Sequence, residues 1–370
     1  MIQTTQEKSP VSTLLAVLLA TLLLNGCSSS DNNGGNTTPS TDNTTDSFTF
    51  TTTGDIGGGT AMRDGIPITT VTLQNMAAQK AAFFLVLGDL SYSQVTPESA
   101  WCEYMQSIFG MTHPIMLETG NHENNGANGL IENFAQCLPA RLPITGTYGR
   151  EYYFDYPTSS PLARFIMLPA GLGKNYNNGS SDQAWLNTLI DQTRTAGIKW
   201  VIVGMHTVCA TVGQKNCQSW QASAGPDLFN FLVNKKVDMV LQAHEHNYQR
   251  SKQLSLGPLC AAIPVQSDAT PNATANLNCI VDSDDSLAKG AGTVFVISGI
   301  TPNYQWPYGV NMINDPEAPY FKVAQDSDYG YTKVTISAAQ LTSQFIRTGG
   351  TSETGGNPPV FSDSFTIEYH

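Results

Sequence analysis

The run Phe83-Phe84-Leu85-Val86-Leu87 passes without interruption into Gly88-Asp89-Leu90-Ser91-Tyr92, and no pattern in the chain limits its fold more. Five consecutive apolar residues have no polar face, so as a strand they must be covered on both sides, as the central strands of α/β sheets are. Gly-Asp then turns the chain and leaves a carboxylate at the carboxyl end of the strand, where open α/β sheets hold their ligands. A charge placed there needs compensation. With a phenol three residues on, Asp89 and Tyr92 offer hard oxygen ligands for a highly charged metal ion. By itself the segment is also what plain turn chemistry produces, with Gly supplying unusual backbone angles and Asp bonding its own loop.

The pattern recurs. Residues 48–53 lead into Gly54-Asp55, residues 114–119 into Gly120-Asn121-His122-Glu123, residues 200–205 into His206, and residues 237–243 into His244-Glu245-His246. Four of the chain's six histidines therefore follow apolar strands, beside Asp55, Asp89, Tyr92 and Asn121. A lone histidine at a strand end is usually structural, but five strand ends that each deliver His, Asp or Asn point to one shared site. Gly57-Gly58-Gly59 lacks the spacing of a dinucleotide loop.

Between these strands the periodicity predicts helices over 69–82 and 98–109, a short one around Glu132, and one capped by Ser181 or Asp182. The last carries Trp185, Leu186, Leu189 and Ile190 on one face and is closed by Gly197. The segment 69–82 joins two strands as a βαβ unit. Further strands are predicted at 152–155, 163–168, 293–298, 331–337, 341–348 and 365–369. Residues 124–147 read as a loop over the site, and residues 256–287, polar and with two cysteines, as a surface insertion.

With 370 residues, 41% of them hydrophobic, the chain can bury a large core. Its formal charge of -12 with no basic cluster argues against a nucleic-acid partner. Residues 11–24 form an apolar run too short to span a bilayer comfortably. It ends in Leu24-Asn25-Gly26-Cys27, similar to a bacterial lipobox. The expected organisation is a lipoprotein signal peptide at 1–26, a flexible tether at 27–46 beginning with lipidated Cys27, and one catalytic domain at 47–370. The protein is then exported and lipid-anchored to a bacterial membrane, facing the periplasm or the cell surface. Six cysteines remain, an even number in a chain expected to be exported. Of fifteen possible pairings, the expected ones join sequence neighbours: Cys102 with Cys137, Cys209 with Cys217, Cys260 with Cys279.

In this order, Asp55-x-Gly57, Gly88-Asp89-x-x-Tyr92, Gly120-Asn121-His122-Glu123, Val203-x-x-His206 and His244-x-His246 resemble the five motifs of purple acid phosphatases, within the calcineurin-like metallophosphoesterases. Tyr152-Tyr153-Phe154-Asp155-Tyr156, Gln183-x-Trp185-Leu186 and Gly292-Thr293-Val294-Phe295 add to the likeness, which runs over roughly residues 48–348. The resemblance implies an α/β fold, a four-layer αββα sandwich of two mixed β-sheets flanked by helices. It implies a dinuclear metal centre in which Asp55, Tyr92 and His246 hold Fe(III), Asn121, His206 and His244 hold Zn(II), Fe(II) or Mn(II), and Asp89 bridges them. The ligand chemistry agrees, since phenolate and carboxylate suit a hard trivalent ion while imidazole and amide suit the divalent ones. The implied activity is phosphomonoester hydrolysis on a small substrate, an acid phosphatase in which hydroxide formed at the metals attacks phosphorus and His122 protonates the leaving group.

The chain departs from that pattern in places. Ala243 stands where the last motif usually has Gly, and residues 213–217 hold no second substrate-facing histidine, so Lys215 or an asparagine would face the substrate there. Asp55 follows the tether almost at once, as in the small single-domain members. Two other functions fit the same residues: a phosphodiesterase or nucleotidase using the same centre, and a non-catalytic lipoprotein that binds metal or phosphate. A complete ligand set plus His122, which ligates nothing in the family, favours catalysis.

Overall fold

The structure, a computed structural model, describes residues 47–57, 62–63, 66–124, 126, 128–169, 172–217, 225–299, 309–350 and 360–369. The expected signal peptide, tether and Cys27 lie outside them. Two mixed sheets form the centre. The seven-stranded sheet runs Ser286–Ala288, Ser364–Glu368, Gln340–Gly350, Asp328–Ser337, Ser47–Thr53, Phe84–Val86, Ile115–Met116. The eight-stranded sheet runs Phe321–Gln325, Tyr248–Ser251, Val294–Ser298, Met239–Gln242, Trp200–Met205, Ala163–Leu168, Tyr152–Tyr156, Thr145–Gly146. Each has a parallel group, Ser47–Thr53 with Phe84–Val86 and Ile115–Met116 in the first, and Val294–Ser298 through Ala163–Leu168 in the second.

Strand side chains alternate between faces, and three apolar layers follow from that alternation. Phe83, Leu85 and Leu87 point between the sheets, together with Trp200 and Ile202 from the second sheet. Phe84 and Val86 point outward, under the helices Ile68–Ala78, Glu98–Phe109 and Ile131–Cys137. Val201, Val203 and Met205 point to the opposite outside, under Ser181–Thr195 and Pro226–Asn234. The unbroken apolar runs of the sequence are thus strands with a core on each side, and helix, sheet, sheet and helix stack in four layers as expected.

Several boundaries differ from the expectation. The helix expected over 69–82 stops at Ala78, because Lys80 takes a left-handed conformation (φ 52°) and the Ala82 amide already donates to Thr49. The cap of Ser181–Thr195 is Ser180, not Ser181 or Asp182; its hydroxyl accepts from the Gln183 amide, three residues on. Asp182 instead accepts from the Asn175 amide and from Lys174. Residues 256–287 are more than a surface insertion: Ile263 and Val265 are buried in the outer core, and Ser286–Ala288 adds a parallel strand to the first sheet. The three cysteine pairs are bonded as expected, 102 to 137, 209 to 217 and 260 to 279.

Candidate active site

The strands Ser47–Thr53, Phe84–Val86 and Ile115–Met116 of the first sheet and Trp200–Met205 and Met239–Gln242 of the second are each followed by polar residues at their carboxyl ends, and those residues meet at one edge. The Tyr92 hydroxyl donates to Asp55 Oδ1 at 2.8 Å, lies 3.0 Å from Asp89 Oδ2 and 3.2 Å from His246 Nε2. On the other side of Asp89, the same Oδ2 lies 3.3 Å from His206 Nε2, which in turn is 3.1 Å from Asn121 Oδ1. His244 stacks edge-on against His206, ring centroids 4.9 Å apart, and donor atoms of Asp89, His206 and His244 all lie within 4.8 Å of one another. The seven residues expected as ligands therefore form two groups that share Asp89. Asp89, Tyr92, Asn121, His122, His244 and His246, together with Lys215, line a cavity of about 260 Å³.

The backbone bends hard to achieve this. Asp55, Asp89, Tyr92 and His244 have φ of 55°, 51°, 49° and 70°, a region that non-glycine residues occupy at about 1–3 kcal/mol each and that clusters at functional sites. Hydrogen bonds from neighbouring strand ends hold the bends. The Asp55 amide donates to the Gly88 carbonyl, the Ile56 amide to the Asp89 carbonyl, and the His244 amide to Asp55 Oδ2 at 2.9 Å. Ala243 is accommodated by a glycine elsewhere: its methyl packs on Gly54, where a Cβ would come within 2.5 Å of it.

Two side chains without an assigned task, Glu123 of the third motif and Asn128 beyond it, emerge as supports. Glu123, fully buried, accepts from the amides of Asp89, Leu90 and Gly120 at 3.0, 2.8 and 2.9 Å, tying the Asp89 turn to the Asn121 turn. Burial and the nearby Asp89 push its carboxyl up to about 8. Asn128, from the loop over the site, accepts from His122 Nδ1 and donates to Ser93 Oγ. That contact turns His122 Nε2 toward Asp89, 3.7 Å away, and the His122 ring lies on Tyr92 with centroids 4.4 Å apart. Neither role shows in sequence, because each depends on which backbone groups come together in space.

With protein groups alone the site is strongly polarised. Burial opposes ionisation of Asp89, but His206 beside it, with His122 and His244, holds its carboxyl well below the usual range. Burial lowers His206 too, yet Asp89, Asp55 and the Leu87 carbonyl raise it to about 9. Its Nδ1–H donates to that carbonyl at 2.7 Å, which aims Nε2 at Asp89 and Asn121. Burial and the adjacent Asp55 and Asp89 carboxylates push the Tyr92 phenol well above its ordinary value. Two buried carboxylates on one phenol, ringed by imidazoles and an amide, are what a site for multivalent cations offers. The donor set fits such ions: oxygen-rich around Asp55 and Tyr92, imidazole and amide around His206, His244 and Asn121.

A family model described as calcineurin-like phosphoesterase matches residues 48–248. An uncharacterized protein of Mycobacterium tuberculosis is 26% identical over 199 residues, 50% of this chain and 37% of that protein. Purple acid phosphatase 22 of Arabidopsis thaliana is 24% identical over 191 residues, 50% of this chain and 43% of that protein. The chain thus spans less than half the length of these curated relatives. Among solved structures, a purple acid phosphatase from yellow lupin seeds superposes with a TM-score of 0.60 at 16% identity, covering 87% of this chain and 54% of that one, which shows a shared fold.

Proposed function

Because this chain belongs to the calcineurin-like phosphoesterase family, we propose that it is a dinuclear metal-dependent hydrolase of phosphomonoesters, an acid phosphatase acting on a small substrate. The observation that carries this reading is the pair of donor groups sharing Asp89 at one wall of a cavity that His122 also lines. Asp55, Tyr92 and His246 would hold a ferric ion, Asn121, His206 and His244 a Zn(II), Fe(II) or Mn(II) ion, and Asp89 both. When bound, such a pair supplies Lewis acidity toward phosphoryl oxygens and a water of lowered pKa.

The remaining tasks belong to the protein. His122 Nε2, directed by Asn128, holds the proton that the departing alkoxide needs. His206 keeps Nε2 on Asp89 and Asn121 by donating Nδ1–H to the Leu87 carbonyl. Glu123 fixes the two turns that carry Asp89 and Asn121. The test is a panel of phosphate mono- and diesters assayed against pH, with metal content measured on the same sample. Monoesters are expected to turn over fastest; a consistent preference for diesters or nucleotides would move the substrate class, and two bound metals without turnover of any ester would leave a binding protein.

Tyr92 gives the iron assignment its own signature. Its phenol is held protonated by burial and by Asp55 and Asp89, so taking up a ferric ion must release that proton, and affinity at this side weakens as pH falls. The oxidised protein should be pink or purple from a phenolate charge-transfer band. Tyr92→Phe is expected to abolish the band while much of the metal remains; a colourless wild type with two zinc ions per chain would contradict ferric iron but not the hydrolase.

We also propose that the domain works outside the cytoplasm on a lipid anchor at Cys27. Three disulfides in the described residues fit an oxidising compartment. Cys27→Ala in the full chain is expected to release the protein from membranes, measured by carbonate extraction. Continued membrane association of that variant would make residues 11–24 the anchor instead.

A further inference from the structure

Residues 207–217 leave the strand Trp200–Met205 at His206 and fold back on themselves, closed by the Cys209–Cys217 disulfide. Val208, Ala210 and Val212 are buried in the outer core, so the loop is anchored from below. Glu245 is among the side chains that hold it. Glu245, between His244 and His246, is fully buried and directed away from the cavity its neighbours line. Its Oε1 accepts from the Lys215 amide at 2.6 Å and from the Thr211 hydroxyl at 3.2 Å. Gly213 passes so close that a Cβ there would overlap the Glu245 carboxylate. Thr211 is fixed in turn by Gln249 Nε2 at 2.8 Å and, through its amide, by Glu317 Oε2 at 2.9 Å.

The result of this scaffolding is that Lys215 lines the same cavity as the carboxylate of Asp89. Among the described residues around that cavity it is the sole Lys or Arg, and Asn216 is not part of the lining. A phosphate ester brings up to two negative charges into a cavity walled by Asp89, so a lysine in that lining has a clear electrostatic use.

Resting on the hydrolase reading, we propose that Lys215 is the phosphate-recognising residue of this site and that Glu245 is the positioning residue that holds its loop against the cavity. The same two-residue spacing that gives the sheet two imidazoles then uses the residue between them to place the substrate-binding cation, which couples the ligand turn to the recognition loop.

Metal-loaded wild type, Lys215→Ala, Lys215→Arg, Glu245→Gln and the double variant Glu245→Gln/Lys215→Ala are titrated with inorganic phosphate by calorimetry. Each is assayed for KM and kcat on a phosphomonoester, with metals counted on the same samples. Loss of a charged hydrogen bond to phosphate is expected to weaken phosphate binding and raise KM about 10- to 100-fold in Lys215→Ala, with little change in kcat and both metals retained. Lys215→Arg should recover most of the loss. Glu245→Gln should weaken phosphate in the same direction, and the double variant should be no worse than Lys215→Ala alone, since both changes act through one contact. If Glu245→Gln does not fold, Gly213→Ala, which presses on the same carboxylate, takes its place in the cycle. Phosphate binding by Lys215→Ala within twofold of wild type overturns the recognition role, and fully additive losses in the double variant overturn the positioning role. A wild type that neither binds phosphate nor hydrolyses any ester overturns the hydrolase reading and this inference with it, an outcome distinct from either of the first two.

Discussion

Asp89→Asn is expected to lower kcat/KM on every phosphate ester by roughly 10³-fold or more and to leave fewer than two metal ions per chain. Asn keeps the shape of the side chain and can still accept from the His122 amide, which Asp89 Oδ1 does at 3.0 Å. What it removes is the charge that both donor groups share, since Oδ2 faces Tyr92 at 3.0 Å and His206 at 3.3 Å. No other described carboxylate lies between those groups. The fold should survive, because the Asp89 turn is held by its amide on Glu123 rather than by its side chain alone. Metal analysis and circular dichroism on the same preparation read both consequences; a variant that retains two metals and works within tenfold of wild type would show that Asp89 does not bridge.

His122→Ala should produce a loss that depends on the leaving group. A positioned acid contributes ~10²–10⁴-fold when the departing alkoxide is strongly basic, and little when it leaves unaided. Alkyl phosphates are therefore expected to lose about that much rate, and nitrophenyl phosphate far less. The geometry supports an acid rather than a ligand: the ring is partly exposed, with 35% of its side chain accessible, and its Nε2 stands 3.7 Å from Asp89, outside the tight contacts of the donor groups. Both metals should remain. Uniform losses across a leaving-group series, or a missing metal ion, would assign His122 to structure or ligation instead.

Much of this architecture was legible because its strands are buried on both sides. Phe83-Phe84-Leu85-Val86-Leu87 needs no periodicity to be seen, and the abrupt change to Gly88-Asp89 marks where the site begins. A similar contrast marked Asn121, His206 and His244, while Asp55 follows a strand that alternates apolar residues with threonine before Gly54. Pairing of cysteines that neighbour one another in sequence was an expectation among fifteen possibilities, and the structure bonds all three pairs.

What was hidden depends on contacts between backbone groups distant in sequence. Glu123 serves three amides from two turns, and Glu245 serves a loop some thirty residues away, so nothing in their local sequence marks them. The sequence left Lys215 or an asparagine for the cavity wall, and it is Lys215 that lines it. The segment 256–287 reads as polar, yet Ile263, Val265 and Leu287 are spaced too irregularly to announce that they enter the cores. Ser180 rather than Ser181 caps its helix because the partner amide belongs to Gln183, a one-residue distinction among adjacent serines.

The central claim is that two metal ions held by this donor set perform phosphoester hydrolysis. Its most direct test counts metal ions per chain in the purified domain, removes them with a chelator, and restores them while phosphomonoester turnover is followed on the same sample. The expected result is two ions per wild-type chain, activity that disappears with them, and activity that returns only when both are restored. Full turnover by a chain holding one ion or none would contradict the account.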